Sequence, residues 1–219
     1  MSTDKNNQPL NHTIYDKTIE QVSEFVYLGH KLSSTNDGSV AVSHRIGLGW
    51  AAFENNKELL TSKRVPLHIK CKIYNTYVLP VVLYGLESVN WTSYMSRKIE
   101  TFQNHIMRFM TNHKLLDHIK IVDLLEATKL IPVMCIIKSK VLKLFGHVKR
   151  SQKGLSKICV EGMIRGKRKR GRPRLRWRDN VHKWSGLNLD ELNKATQNRS
   201  LWKKLSHVSA QSAAGGDSE

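Results

Sequence analysis

Apolar residues recur at two different periods along the chain, and the change of period divides it. Phe25-Val26-Tyr27-Leu28-Gly29-His30-Lys31-Leu32 is rich in β-branched and aromatic residues, which predicts a strand or hairpin arm. Ser33 to Gly38 is a turn by composition. Beyond it the period becomes helical. Val42, Ile46, Trp50 and Phe53 share one helical face, with Ser39 or Ser43 as candidate caps and Arg45 on another face. Pro66 suits the first turn of a second helix. There Leu67, Cys71, Tyr74 and Val78 make one stripe, and Ile69, Ile73 and Tyr77 nearly make another. Apolar groups on two sides predict a central, covered helix that Pro80 kinks or ends. Val81 to Gly85 is a short buried segment of either type.

The clearest helix carries Met95, Ile99, Phe102, Ile106 and Phe109 on one face. Asp117 to Lys129 holds a short helix through Val122 and Leu125. Another opens at Pro132, with Val133, Ile137, Val141, Leu144 and Val148 in register. From Ser151 to Arg172 the chain loses apolar residues and gains glycine and charge, the pattern of a linker. Pro173 then suits the start of a helix on which Trp177, Val181 and Trp184 align. Leu189 to Val208 is helical in composition, with Leu192, Ala195, Leu201 or Trp202, and Leu205 facing inward. The expected organisation is a disordered segment 1–12, a hairpin region 13–38, a helical domain 39–150, a basic linker 151–172, a C-terminal helical segment 173–208 and a disordered tail 209–219. The fold class is mainly α: a helical bundle with a small N-terminal β hairpin and a basic C-terminal helical segment.

Charge changes the picture most. Lys and Arg number 36 against 18 Asp and Glu, a formal net charge of +18. That excess favours polyanionic partners, nucleic acid first and acidic lipid second. Nine of the fourteen residues from Arg165 to Arg178 are basic: Arg165, Lys167, Arg168, Lys169, Arg170, Arg172, Arg174, Arg176 and Arg178. Unpaired, such a run cannot be buried, so it faces water or phosphate. We read it as a nucleic-acid-binding segment, with His147, Lys149 and Arg150 as further candidate contacts. If ~6 of these cations touch phosphate, the log–log salt slope on duplex DNA is about −5. A nuclear-import tag or a solvated face is the plainer alternative. Arg170-Gly171-Arg172-Pro173 also matches the core of an AT-hook, in which arginines enter a narrow A·T minor groove.

Other chemistry finds little support. Cys71, Cys135 and Cys159 are widely spaced with no C-x-x-C pair, against both a disulfide scaffold and a cysteine zinc site. They read as reduced thiols of an intracellular protein. No run approaches the ~18 apolar residues of a membrane span, and Met1 to Pro9 lacks a signal-peptide pattern. Trp177 and Trp184 could stack on bases, but their spacing with Val181 reads as core. Trp50, Trp91 and Trp202 read the same way. His105, His113, His118, His147 and His182 match no zinc spacing. Asp123 and Glu126 lie among Lys114, Lys120 and Lys129, where intrahelical ion pairs are the ordinary explanation.

The order of several short motifs resembles a known family. Phe25-Val26-Tyr27-Leu28-Gly29 is followed by Arg45-Ile46 and Ala51-Ala52-Phe53. Lys70 and Tyr74 then precede Val78-Leu79-Pro80, Leu83-Tyr84-Gly85-Leu86-Glu87 and Trp91. Later come Phe145-Gly146-His147-Val148, Arg150, Gly171-Arg172-Pro173, Arg176-Trp177-Arg178-Asp179 and Arg199-Ser200-Leu201-Trp202. From about Ile14 to Val208 the chain resembles the C-terminal part of the endonuclease–reverse transcriptase of non-LTR (LINE-type, RTE-like) retrotransposons. The resemblance implies that Phe25 to Leu32 belongs to the last hairpin of the polymerase palm. It implies that the helices from Val40 to about Asn112 are thumb-like. The Gly-His pair and the G-R-P…W segment would help hold template RNA or target DNA. The family's full-length polymerase uses Mg²⁺ held by paired aspartates. Only Asp4 and Asp16 precede Phe25, so no cofactor is expected on this chain and no polymerase activity from it alone. Expected partners are RNA, DNA or both, together with an upstream polymerase portion, and no membrane. The expected location is the nucleus.

Overall fold

A computed structural model describes residues 13–15, 17–35, 37–151, 155–161 and 175–212. The protein is mainly α, with small antiparallel hairpins at its N-terminal end. It falls into two compact units, residues 1–86 and 87–219.

In the first unit, β1 (Thr13–Ile14) pairs with β2 (Lys17–Thr18), and β3 (Glu24–Tyr27) pairs with β4 (His30–Ser33). In the second hairpin Phe25 faces Leu32 and Tyr27 faces His30. The tight turn is Leu28-Gly29, with φ of 48° and 74°. It therefore falls inside the stretch expected to be one arm. Both turn residues are left-handed, as in a type I′ hairpin, and an apolar leucine there hid the turn. Ser33 to Gly38 instead leads into α1 (Gly38–Glu54). Neither expected serine caps that helix; Asp37 does, accepting from the Ser39 amide at 2.9 Å.

After α2 (Lys57–Thr61), Pro66 precedes α3 (Leu67–Ile73). The helix continues through one wide π turn, Tyr74–Val78, into α4 (Leu79–Leu83). Pro80 lacks an amide proton, and the π turn and Pro80's place at the start of α4 let the chain pass it without stopping. Only one of the two expected stripes is covered. Cys71, Tyr74 and Val78 are buried, while Ile69 and Tyr77 are exposed, so this is not an enclosed helix.

Arg45, expected on an outer face of α1, is buried. Its guanidinium donates to the Gly29 carbonyl and, at 3.5 Å, to the Val81 carbonyl. It also stacks 4.4 Å from the centre of the Tyr84 ring. Gly85, at φ 74°, sits against His30: a Cβ there would stand 3.1 Å from His30 Nδ1. Three short motifs, Tyr27-Leu28-Gly29, Arg45-Ile46 and Leu83-Tyr84-Gly85, thus meet around one buried cation.

The second unit is built on α5 (Ser93–Thr111), α6 (Ile121–Thr128) and α7 (Val133–Arg150). Thr92 caps α5 through the Met95 amide. Ile99, Phe102 and Ile106 are buried as expected, but Phe109 is exposed and Met107 and Met110 are buried instead. The stripe drifts because 3.6 residues per turn carries it to position 110. In α6 the expected Val122 is exposed, and Leu124 and Thr128 face inward. Gln103 of α5 joins the two long helices: its amide nitrogen donates to the Ile131 carbonyl at 2.9 Å and its oxygen accepts from the Val133 amide at 2.7 Å. That satisfies one of the free donors at the start of α7.

A short helix, α8 (Leu155–Glu161), lies in the stretch expected to be linker. Then come α9 (Trp177–Ser185), α10 (Leu189–Gln197) and α11 (Arg199–Ser212). The expected helix over Leu189 to Val208 is two helices. Asn198 breaks it, its side-chain oxygen accepting from the Leu201 amide at 3.1 Å as an N-cap. Among the described residues no helix is long and apolar enough to cross a membrane.

Candidate nucleic-acid interface

Helix α9, which follows the basic segment, has a firm root. The Arg176 amide donates to the Asp179 carboxylate at 2.7 Å, which starts α9 at Trp177. Pro173, the expected start, lies outside the described residues. Four hydrogen bonds then fasten this end to residues 87–91. Trp177 Nε1 donates to the Glu87 carbonyl at 2.9 Å. Asn90 donates to the Leu175 carbonyl. Asn180, itself buried, donates to Asn90 at 3.0 Å and to the Trp91 carbonyl at 3.1 Å. A buried asparagine with its donors filled is rigid, because leaving them unmade costs about 1–3 kcal/mol.

Aromatic packing ties the same end to α7. Phe145 is fully buried, with the Trp177 ring at 6.2 Å and the Trp202 ring at 5.9 Å. Val181 is fully buried as well. Of the tryptophans expected in the core, Trp91 and Trp202 are buried, while Trp50, Trp177 and Trp184 are only half-buried; Trp177 and Trp202 are the ones that pack on Phe145.

Gly146 explains how Trp202 reaches its seat. A Cβ at Gly146 would overlap Trp202 Nε1 and Cδ1. Bare backbone lets the indole lie on α7 and donate Nε1 to the Leu142 carbonyl at 2.8 Å. The Phe145-Gly146 pair is therefore a docking notch for Trp202, which connects two motifs that are far apart in sequence.

Of the expected contact residues, Arg165, Lys167, Arg168, Lys169, Arg170, Arg172 and Arg174 lie outside the described residues. Arg176 is exposed and Arg178 half-buried at the start of α9. His147 is exposed in the last turn of α7. Lys149 lies with its Nζ 5.8 Å from the Phe145 ring centre. Arg150 donates to the Thr196 carbonyl at 2.9 Å, so part of its donor capacity serves the α7–α10 junction. Phe145 thus packs beside both the Lys149 end of α7 and the Trp177 start of α9. Sequence reasoning missed Asn90 and Asn180. Their only signal was polar amides flanking Trp91 and Trp177.

The remaining chemistry is quiet. Burial pushes the Cys71 and Cys135 thiols up, away from the reactive thiolate, and pushes the Lys70 ammonium down. Among the described residues no group of three or more His, Cys, Asp or Glu could hold a metal ion.

The chain is therefore basic and mainly helical, with α9 fastened to residues 87–91. No family model matches the chain, and no solved structure matches it. An uncharacterized transposon-derived protein of Caenorhabditis elegans is 24% identical over 174 residues, a match covering 75% of this chain and 61% of that protein. The chain thus matches about 61% of that relative's length. The likeness supports a transposon-related origin.

Proposed function

We propose that the chain is the nucleic-acid-binding C-terminal portion of a retrotransposon reverse transcriptase, without the paired aspartates and the endonuclease of the full polymerase. The observation that carries the binding reading is the fixed root of the arginine segment. A run of cations on a free tether binds phosphate only after losing conformational freedom. Here, near the end of the run, Leu175 and Trp177 are held to Asn90 and Glu87, and Asn180 just beyond it is held to Trp91. The transposon-derived relative supports the origin, and the order of motifs supports the polymerase assignment.

Charge reversal at Arg168, Arg170 and Arg172 is expected to weaken binding to RNA and DNA of every sequence alike. With ~3 fewer phosphate contacts the log–log salt slope on duplex DNA becomes shallower by about 2.7. Titrations at several salt concentrations measure this; altered sequence preference at an unchanged slope would contradict it. Preference for A·T-rich duplex that disappears in Arg172→Ala would instead favour a standalone architectural DNA-binding protein using Arg170-Gly171-Arg172-Pro173.

A second expectation concerns catalysis. The chain alone, supplied with primer, template, nucleotides and Mg²⁺, extends nothing, because two-metal chemistry needs clustered carboxylates. Template-dependent extension by the purified chain would overturn the assignment to a non-catalytic portion.

A further inference from the structure

Lys140, Lys143 and His147 recur on one face of α7, spaced by three and four residues. Lys143 and His147 are exposed and Lys140 half-buried. α7 contains five Lys or Arg and no Asp or Glu between Val133 and Arg150. The ion pairs Lys31–Glu24, Lys57–Glu54 and His113–Asp117 lie away from this face. Helix-end electrostatics account for cations in the last turn, where His147, Lys149 and Arg150 lie. They do not account for Lys140 and Lys143, which sit further in.

The rest of α7 is committed to packing. Val133, Ile137, Val141, Leu142, Phe145 and Val148 are buried, and Trp202 is seated on Gly146. The strip is therefore held on a rigid rod, and side chains fixed this way lose less freedom on binding than those of a tether. Lys140 to His147 spans ~10 Å of helix at ~1.5 Å per residue. That is about three nucleotide steps at ~3.4 Å per phosphate along one strand of duplex DNA. An acidic lipid surface fits poorly. A membrane-lying helix must offer its apolar face to the acyl chains, and that face of α7 is already buried.

We propose that the Lys140–Lys143–His147 face of α7 is a second phosphate-binding strip, which takes the sugar–phosphate backbone of a nucleic acid. The inference rests on the nucleic-acid-binding reading and adds a site to it. Phosphate is common to RNA and DNA, so the strip serves both.

The test uses the full chain and labelled single-stranded RNA, single-stranded DNA and duplex DNA, with affinity followed against salt. The Lys140→Gln, Lys143→Gln, His147→Gln variant is expected to bind roughly tenfold more weakly at about 0.1 M salt, with a slope shallower by about 2 on duplex DNA. Its thermal melting should match that of the unmodified chain. Lys57→Gln with Lys63→Gln removes two formal charges from the other unit and should leave the slope unchanged. An unchanged slope in the α7 variant, or an equal change in the control, overturns the strip and leaves the arginine segment standing. Failure of the unmodified chain to bind any of the three probes overturns both readings.

Discussion

Replacing Gly146 with alanine is expected to destabilise the protein by about 3 kcal/mol, although alanine is the better helix former by ~1 kcal/mol. The added methyl group would overlap the Trp202 indole and stand 3.1 Å from the Arg150 guanidinium. Trp202 is buried and cannot simply swing aside. Leaving its seat breaks the Nε1 bond to the Leu142 carbonyl and the ring contact with Phe145. Lost packing and a lost hydrogen bond together outweigh the gain in helix propensity. Gly47, exposed on α1, provides the contrast, because a Cβ there meets nothing within 4 Å. Gly47→Ala should stabilise by roughly 0.5–1 kcal/mol, since only the unfolded-state entropy changes. Trp202→Ala alone should cost about 3–5 kcal/mol. Adding Gly146→Ala to it should cost nothing further, because the clash is gone. Chemical denaturation of the four variants checks this; equal costs for Gly146→Ala with and without Trp202 would refute the notch.

The same notch marks how far the sequence could be read. Helical periodicity found α5 and α7 because each buries a wide apolar stripe. It did not find Arg45. A charged residue one step off an apolar stripe looks solvent-facing, and only tertiary structure brings the Gly29 carbonyl and the Tyr84 ring to it. The Leu28-Gly29 turn was hidden for a related reason, since turn chemistry favours Asn or Gly where the chain carries leucine. Asn198 was legible in principle as a cap, but helical composition on both sides of it concealed the break. At the candidate interface the packing of Trp177 and Trp202 was legible. The amides at Asn90 and Asn180 were not, because a hydrogen bond between residues ninety apart leaves no periodic trace.

Arg45→Met is expected to loosen the N-terminal hairpin by about 2 kcal/mol while leaving the second unit untouched. Two effects oppose each other. Burial disfavours the guanidinium, pushing its pKa down, and its Nε has no hydrogen-bond partner. Methionine removes that penalty and refills most of the volume. Against this, the Gly29 carbonyl loses a charge-assisted donor, worth about 1.5–3 kcal/mol. The Tyr84 ring loses a stacked cation, worth about 1–2 kcal/mol at a desolvated site. The losses prevail because β3 and the turn of the β3–β4 hairpin bury little apolar surface. Phe25, Tyr27 and Leu28 are exposed, Leu28 is left-handed, and a two-stranded hairpin is marginal by itself. Hydrogen exchange should show the hairpin amides opening about thirtyfold more readily in Arg45→Met, at 1.4 kcal/mol per decade. Amides of α5 and α7 should be unaffected. Arg45→Lys should fall between, since an ammonium can reach the carbonyl but lacks the planar stacking of guanidinium. Hairpin protection equal in all three proteins would mean that the guanidinium is tolerated in the fold and does not latch it.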